Sequence, residues 1–320
     1  LATIREILMS LLSFRKPAQA AAPPAGRTGR IAALLEGYSI EVMPRTAAKV
    51  EDFRTLLPQG TRVYIAHIDG TEIDDMVATA RRLREEGFEP MPHFPARSIA
   101  GPATLAEWIA RYQGEAGVRQ ALVLAGGIPT PRGAYHSSMQ LLETGFFDDA
   151  GFTHLHVAGH PEGNRDIDAD GGEAEAMAAL RWKQDFANRS DARFAIATQF
   201  AFEAGPVLDW SDRLAAAGIE MPVHLGVAGP AKLQTLIRFA IACGVGNSLG
   251  VLQKRAKDVT KLLMPFEPTE FLGALAEARA AGRGTNIEAI HFFPLGGIKT
   301  NADWAIANGG AAARPVRAQA

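Results

Sequence analysis

The chain has 320 residues, 47% of them hydrophobic, and a formal net charge of −2. That supports a large buried core and gives no general polyanion-binding character; no basic patch is interleaved with aromatics, so nucleic acid is not an expected partner. The single cysteine, Cys243, excludes an internal disulfide framework and a multi-cysteine metal site, and fits the reducing cytoplasm, which is the expected location.

Residues 1–37 differ in composition from the rest of the chain. "IREILMSLLSFRK" reads as a short amphipathic helix and "PAQAAAPPAGRTGR" as a flexible linker. An apolar run followed by "AxA" has the outline of a signal peptide, but Arg5, Glu6, Arg15 and Lys16 interrupt or flank too short an apolar core. No run approaches transmembrane length, so no membrane association is expected. The expected division is an extension over 1–37, a catalytic domain over 38–305 and a frayed tail over 306–320.

From residue 38 one unit recurs: a short apolar run ending in Gly, Pro or a polar residue, then a helical pattern. The expected strands are 38–44, 62–68, 89–94, 120–127, 153–160, 193–200, 221–228 and 288–295. The helical patterns between them include "IDDMVATARRLREEG", "TLAEWIARYQ", "EAMAALRWKQDF", "VLDWSDRLAAAG" and "AKLQTLIRFAIACG", with Gly87, Gly218 and Gly244 as stops. A further helical stretch covers about 247–283. Eight alternating units most simply close into a (β/α)₈ TIM barrel. A doubly wound open sheet is the runner-up, and no GxGxxG follows the first strand to support it.

In barrel enzymes the chemistry sits at the C-terminal strand ends. Glu41, His67, His93, Gly126–Gly127, His160, Gln199 and Gly226 all fall there, from seven strands. Glu41 lies inside an apolar strand, where an ionised carboxylate without a partner is costly. Strand alternation places Ser39, Glu41 and Met43 on the inward face. Glu41 then reads either as half of a structural ion pair or as a general acid whose pKa an apolar cavity raises. His154 and His156 share a strand face at a spacing that can ligate a metal, so a metal-dependent hydrolase or lyase is an alternative. No strand-end Asp or Lys completes that site, and the expected metal set is none.

Taken in order, "SIEVMPRT", "VAGHPEGN", "LRWKQDFANRSDARFAIATQF", "HLGVAGPAKLQTLIRFAIACG" and "AIHFFPLGG" resemble motifs of the methylenetetrahydrofolate reductase family, a flavin-dependent (β/α)₈ barrel. The resemblance covers about residues 38–305. It implies an oxidoreductase of one-carbon folate metabolism that interconverts 5,10-methylenetetrahydrofolate and 5-methyltetrahydrofolate. Hydride would come from NADH or NADPH through FAD. It also implies Glu41 as the acid that protonates N10 and opens the five-membered ring. Gln199 and Gly127 would contact the pterin and Leu233 the substrate. His93, Gly126, Tyr135, Ala158, His160, Asn164 and Lys183 would lie at flavin-contacting positions.

The departures concern the flavin. The family's "LRGD" is here "LAGG", so Ala125 replaces an arginine and Gly127 an aspartate. His160 stands for a tyrosine and Asn164 for a histidine, and Ala176, Ala179 and Trp182 replace polar contacts. Loss of charge-assisted contacts weakens diphosphate binding. A flavin-free barrel passing hydride directly from NAD(P)H to the folate is therefore the second reading, and a non-catalytic folate- or flavin-binding barrel the third. The sequence leaves the oligomeric state open, a homo-oligomer included.

Overall fold

The structure, a computed structural model, describes residues 25–242, 250, 252 and 265–310. The expected amphipathic helix near the N-terminus, the Gly244 stop, the first part of the 247–283 stretch and most of the C-terminal tail lie outside these residues.

Eight parallel strands close on themselves: β1 (Ser39–Val42), β2 (Arg62–Ile65), β3 (Glu89–Pro95), β4 (Gln120–Leu124), β5 (His154–Gly159), β6 (Arg193–Ala201), β7 (Val223–Ala228) and β8 (Ile287–Phe293). The ring is sequential, and β1 closes it against β8 through the pairs Ser39–His291 and Ile40–Phe292. The fold is therefore the (β/α)₈ TIM barrel, and each strand overlaps an expected segment.

The helices are α1 (Ala25–Leu34), α2 (Pro44–Ala47), α3 (Ile73–Glu85), α4 (Pro102–Ala116), α5 (Ser138–Glu143), α6 (Phe146–Asp149), α7 (Ala174–Ala187), α8 (Ala204–Ala216), α9 (Leu233–Ala242), α10 (Thr269–Ala280) and α11 (Ile298–Ala307). Local chemistry explains their limits. Asp74 and Asp75 open α3 and Arg82 and Arg84 close it, each opposing the charge of the helix end it occupies. Gly87 then takes the left-handed conformation that stops the chain from continuing. The pair α5 and α6 was not expected from the sequence. Its first member is set by a reciprocal cap between Ser137 and Gln140 three residues on.

The largest apolar layer lies between the barrel wall and the helices, with Phe53, Phe88, Phe94, Tyr112 and Phe147 among its fully buried members. Inside the barrel, apolar packing reduces to Tyr64, Met91, Leu122 and Ala197, with Leu124 partly buried beside them. Much of what else is buried there is polar: Ser39, His93, Gln120, His156, His224 and His291. Barrel interiors are usually filled by layers of Val, Ile and Leu, so this one is unusual.

Two expected boundaries are corrected. Part of the supposed linker is helix α1, which packs on α10 and buries Ile31, Leu34 and Leu35 in the main core. Its Ile-Ala-Ala-Leu-Leu run gives the helix an apolar face, which outweighs the loop signal of the preceding prolines. The supposed tail also starts too early, because α11 runs to Ala307 and Gly310 still hydrogen-bonds the Ala305 carbonyl. Among the described residues no helix is long and apolar enough to cross a membrane.

Leu35 is fully buried at the end of α1. Leu35→Ala is expected to lower unfolding free energy by roughly 2–5 kcal/mol in a urea titration. A loss under about 0.5 kcal/mol would show that α1 is not part of the cooperative core.

Candidate active site

The C-terminal strand ends open into one cavity of about 1860 Å³. That exceeds the few hundred to about 1,000 Å³ typical of a site for one small ligand. Glu41, His93, Gly126, Gly127, Ala158, His160, Asn164 and Gln199 all line it. The convergence read from strand ends thus holds for Glu41, His67, His93, Gly126, Gly127, His160 and Gln199, whereas Gly226 is buried between β6 and β7 and does not line the cavity; Ala158 and Asn164, positions implied by the resemblance, do.

Glu41 projects inward from β1, as alternation requires, and its side chain is 19% exposed, on the cavity side. His93 of β3 puts Nε2 at 3.3 Å from Glu41 Oε2, although the approach does not meet hydrogen-bond geometry. His291 of β8 puts its Nε2 at 3.9 Å from the same oxygen. Its other nitrogen, Nδ1, shares a 3.0 Å hydrogen bond with the Ser39 hydroxyl. Burial raises the Glu41 carboxyl, but interaction with His291 and His93 outweighs it and brings the pKa down to about 2. This corrects the expectation of a raised pKa: the cavity wall around the carboxylate is imidazole, not hydrocarbon. The structure thus sets the Glu41 carboxylate against two imidazoles, the kind of partner that the ion-pair reading expected. His291 is the member that sequence reasoning missed. The available signal was the one that marked Glu41, a titratable side chain at inward parity within an apolar strand.

Gln199 lies where β6 and β7 lose register between Ala197 and Phe200. Thr198 Oγ1 accepts from the Gly226 amide at 2.8 Å and donates to the Gln199 carbonyl at 2.8 Å, which fixes the irregularity. A Cβ on Gly226 would fall 2.5 Å from both the Thr198 and Gln199 carbonyl oxygens, so only glycine permits this approach. The arrangement leaves Gln199 Oε1 buried with no hydrogen-bond partner. An unsatisfied buried acceptor on a cavity wall is a natural contact for a ligand N–H.

The loop after β4 is pinned to the opposite wall. Gly126 has φ 89°, and a Cβ there would approach the Pro95 side chain to 2.9 Å. Arg97 donates to the carbonyls of His136 and Ile128, pairs with Asp166 at 2.7 Å and accepts at its own carbonyl from the Arg132 amide. One residue thus ties together the loops after β3, β4 and β5. His160 lies 3.4 Å from the Asn164 amide through Nδ1, and burial followed by the charge of Lys183 lowers its pKa to about 4. It faces the cavity as a neutral ring. His67 stacks on Trp108 at 4.9 Å and donates from Nε2 to the Thr71 carbonyl, leaving Nδ1 as a buried, unpartnered acceptor.

Three of the residues that the resemblance implied do not line the cavity. Leu233 points into a core cluster with Phe200, Phe202, Leu236 and Phe266, while Thr235, Arg238 and Phe239 of the same helix face the cavity. The error is one of helical phase. Tyr135 is 7% exposed and packs in the main core. Lys183 lies behind His160 in a separate pocket of about 30 Å³, with its pKa lowered to about 8 by burial. His154 and His156 also part company. His154 bonds Thr153 and His156 bonds the Tyr64 hydroxyl, so the two rings do not converge. Among the described residues no group of three His, Cys, Asp or Glu side chains is placed to hold a metal ion.

For a flavin the fit is partial. The Gly126–Gly127 backbone, His93, Ala158, His160 and Asn164 form one continuous wall of the cavity, and Tyr135 and Lys183 do not reach it.

No family model matches the chain. Among solved structures it is similar to the carboxyl transferase domain of Rhizobium etli pyruvate carboxylase with 3-bromopyruvate, at 10% identity and a TM-score of 0.38. The match covers 92% of this chain and 48% of that one, so this chain spans about half the length of that structure. So distant a likeness says nothing about activity.

The buried histidines give a stability prediction. His160, His154, His156, His224 and His291 all have pKa values below 6.5, chiefly through burial, so the unfolded chain binds more protons than the folded one once pH falls below that value. Their contribution is complete above about pH 6.5 and is lost as pH falls toward 4, on the order of 3 kcal/mol for His160 alone. Glu41 acts in the same direction at lower pH, between 4.5 and about 2. Calorimetry at about pH 7.5, 6.0 and 5.0 should show a steadily falling Tm with proton uptake on unfolding. A Tm flat across that range would contradict the burial of these rings.

Proposed function

We propose that the chain is a methylenetetrahydrofolate reductase-like oxidoreductase, moving hydride between NAD(P)H and the one-carbon unit of a reduced folate. The observation that carries this reading is Glu41 on the wall of a large cavity, held against two imidazoles and sharing that cavity with the unsatisfied Gln199 acceptor. A methylene held between two nitrogens is a poor hydride acceptor. Protonation of N10 breaks the C–N10 bond and leaves an N5-iminium carbon, which accepts hydride to become the N5-methyl group. The reading assigns Glu41 the proton delivery, His93 and His291 the positioning of its carboxylate, and Gln199 the orientation of the pterin edge. Because the pKa of Glu41 is brought down to about 2, folate turnover at neutral pH needs a proton delivered to that carboxylate once the folate is bound.

FAD would supply a two-electron carrier that accepts hydride from the nicotinamide and yields it to the folate. Gly126, Gly127, His93, Ala158, His160 and Asn164 would hold it. Direct transfer from NAD(P)H is the second reading, and the positions of Tyr135 and Lys183 outside the cavity favour it. In either case the partners are small molecules, NADH or NADPH and a folate, and we place the reaction in the cytoplasm.

The test is an absorbance spectrum of the purified protein followed by NADH and methylenetetrahydrofolate. Two visible flavin bands that bleach support the FAD route. A colourless protein that oxidises NADH only when the folate is present supports direct transfer. No NADH or NADPH oxidation with the folate in either case removes the proposal. Glu41→Gln, which keeps the shape and loses the titratable group, should reduce folate turnover by at least about a hundredfold, the scale of lost acid catalysis. Full turnover in that variant would remove Glu41 from the mechanism.

A further inference from the structure

NADH and NADPH differ by one group, a phosphate on the 2′ oxygen of the adenosine ribose. A site for the first offers a carboxylate to the ribose hydroxyls, and a site for the second offers cations to the phosphate. The segment after β7 has the second character. No Asp or Glu occurs between Glu220 and Asp258. Lys232 stands at the start of α9, where its carbonyl accepts from the Thr235 and Leu236 amides. Lys232, Thr235 and Arg238 then recur every three residues, which sets them along one stripe of the helix. All three line the cavity. Leu233, Leu236 and Ala240 fix that stripe outward by burying the opposite face against Phe200, Phe202 and Phe266. Phe239 lines the same cavity, and the Arg238 guanidinium lies 6.0 Å from its ring centroid. Among the described residues neither Lys232 nor Arg238 has an ion-pair partner.

The carboxylates that line the cavity are placed elsewhere. Asp52, Asp69 and Asp166 are paired with Arg54, Arg132 and Arg97. Glu41 lies at the inner end, and Glu51 follows Lys49 on the β1 side.

We propose that Lys232, Thr235, Arg238 and Phe239 form a subsite for an adenosine that carries a 2′-phosphate, and that the chain therefore takes NADPH in preference to NADH. The choice of reductant rests on the folate reading above; the subsite stands on the residues of α9 themselves.

Each component of the stripe answers one part of that group. A guanidinium gives a phosphate two parallel N–H bonds, an ammonium adds a compact charge, and a threonine hydroxyl adds a neutral donor. The Phe239 ring and the guanidinium plane both offer a face on which a purine can stack. The unphosphorylated ribose of NADH would meet cations there and no carboxylate to accept from its hydroxyls. The diphosphate, which both nucleotides share, is the other anion these cations could meet. An aromatic ring beside the cations favours the adenosine end, where a base lies next to the charge.

The experiment uses the full chain and three soluble probes in calorimetric titrations: adenosine 2′,5′-bisphosphate, ADP and AMP. The bisphosphate is expected to bind at least about tenfold tighter than either of the others, the scale of charge-assisted bonds to one added phosphate. A double variant, Lys232→Gln with Arg238→Gln, should lose that difference. Both side chains are exposed, so its thermal transition should match the wild type. ADP binding as tightly as the bisphosphate would assign the cations to the diphosphate and overturn the proposal, as would a bisphosphate no tighter than AMP. With methylenetetrahydrofolate as acceptor, kcat/KM should be at least about tenfold higher for NADPH than for NADH. In the double variant the ratio should fall toward one, chiefly through a raised KM for NADPH. Turnover that prefers NADH overturns the proposal and leaves the folate reading standing. No turnover with either nucleotide removes the folate reading, and the three titrations then decide the subsite alone.

Discussion

The carboxylate of Glu41 sets the terms for the rest of the interior. A charge in the middle of a closed sheet costs several kcal/mol unless something nearby answers it. Here the answer comes from strands β3 and β8, which deliver His93 and His291 to one oxygen. Once imidazoles are inside the barrel they need partners of their own. Ser39 serves His291, and the polar content spreads inward to Tyr64, His156 and His224. The polar interior is the consequence of one buried acid, carried strand by strand to the outer face.

That chain of obligations also explains why the apolar core lies outside the sheet. With the interior given to hydrogen-bonding groups, most of the hydrophobic burial falls between the strands and the helices, where Phe53, Phe88, Phe94 and Phe147 pack. The barrel is held from outside, and α1 adds to that shell by covering part of it with Ile31, Leu34 and Leu35. The outer layer supplies stability, and the inner layer is released to position titratable groups.

Much of this was legible in the chain. Period-two alternation placed Ser39 and Glu41 inward, and the Gly-stopped helical patterns marked the eight units. Three features were not legible. The pKa of Glu41 depends on two histidines 52 and 250 residues away in sequence, and nothing local reveals that they converge. Leu233 was misplaced because a motif position does not fix helical phase; α9 turns Thr235 and Arg238 to the cavity. Lys183 was misplaced because His160 stands between it and the cavity, which only packing decides.

Charged side chains line the cavity on both sides. On the side of β3 to β5 the wall holds Gly126, Gly127, Ala158 and the neutral ring of His160, together with Arg97, Arg165 and Asp166. The Arg97–Asp166 pair spends its charge on joining loops, so it is not free to meet a diphosphate. On the side of β7, β8 and β1, Arg45, Lys49, Lys232 and Arg238 line the cavity, and among the described residues none of them is ion-paired. The cations left without a carboxylate partner therefore stand around the mouth of the cavity, while its inner end at the barrel axis holds Glu41, His93 and His291.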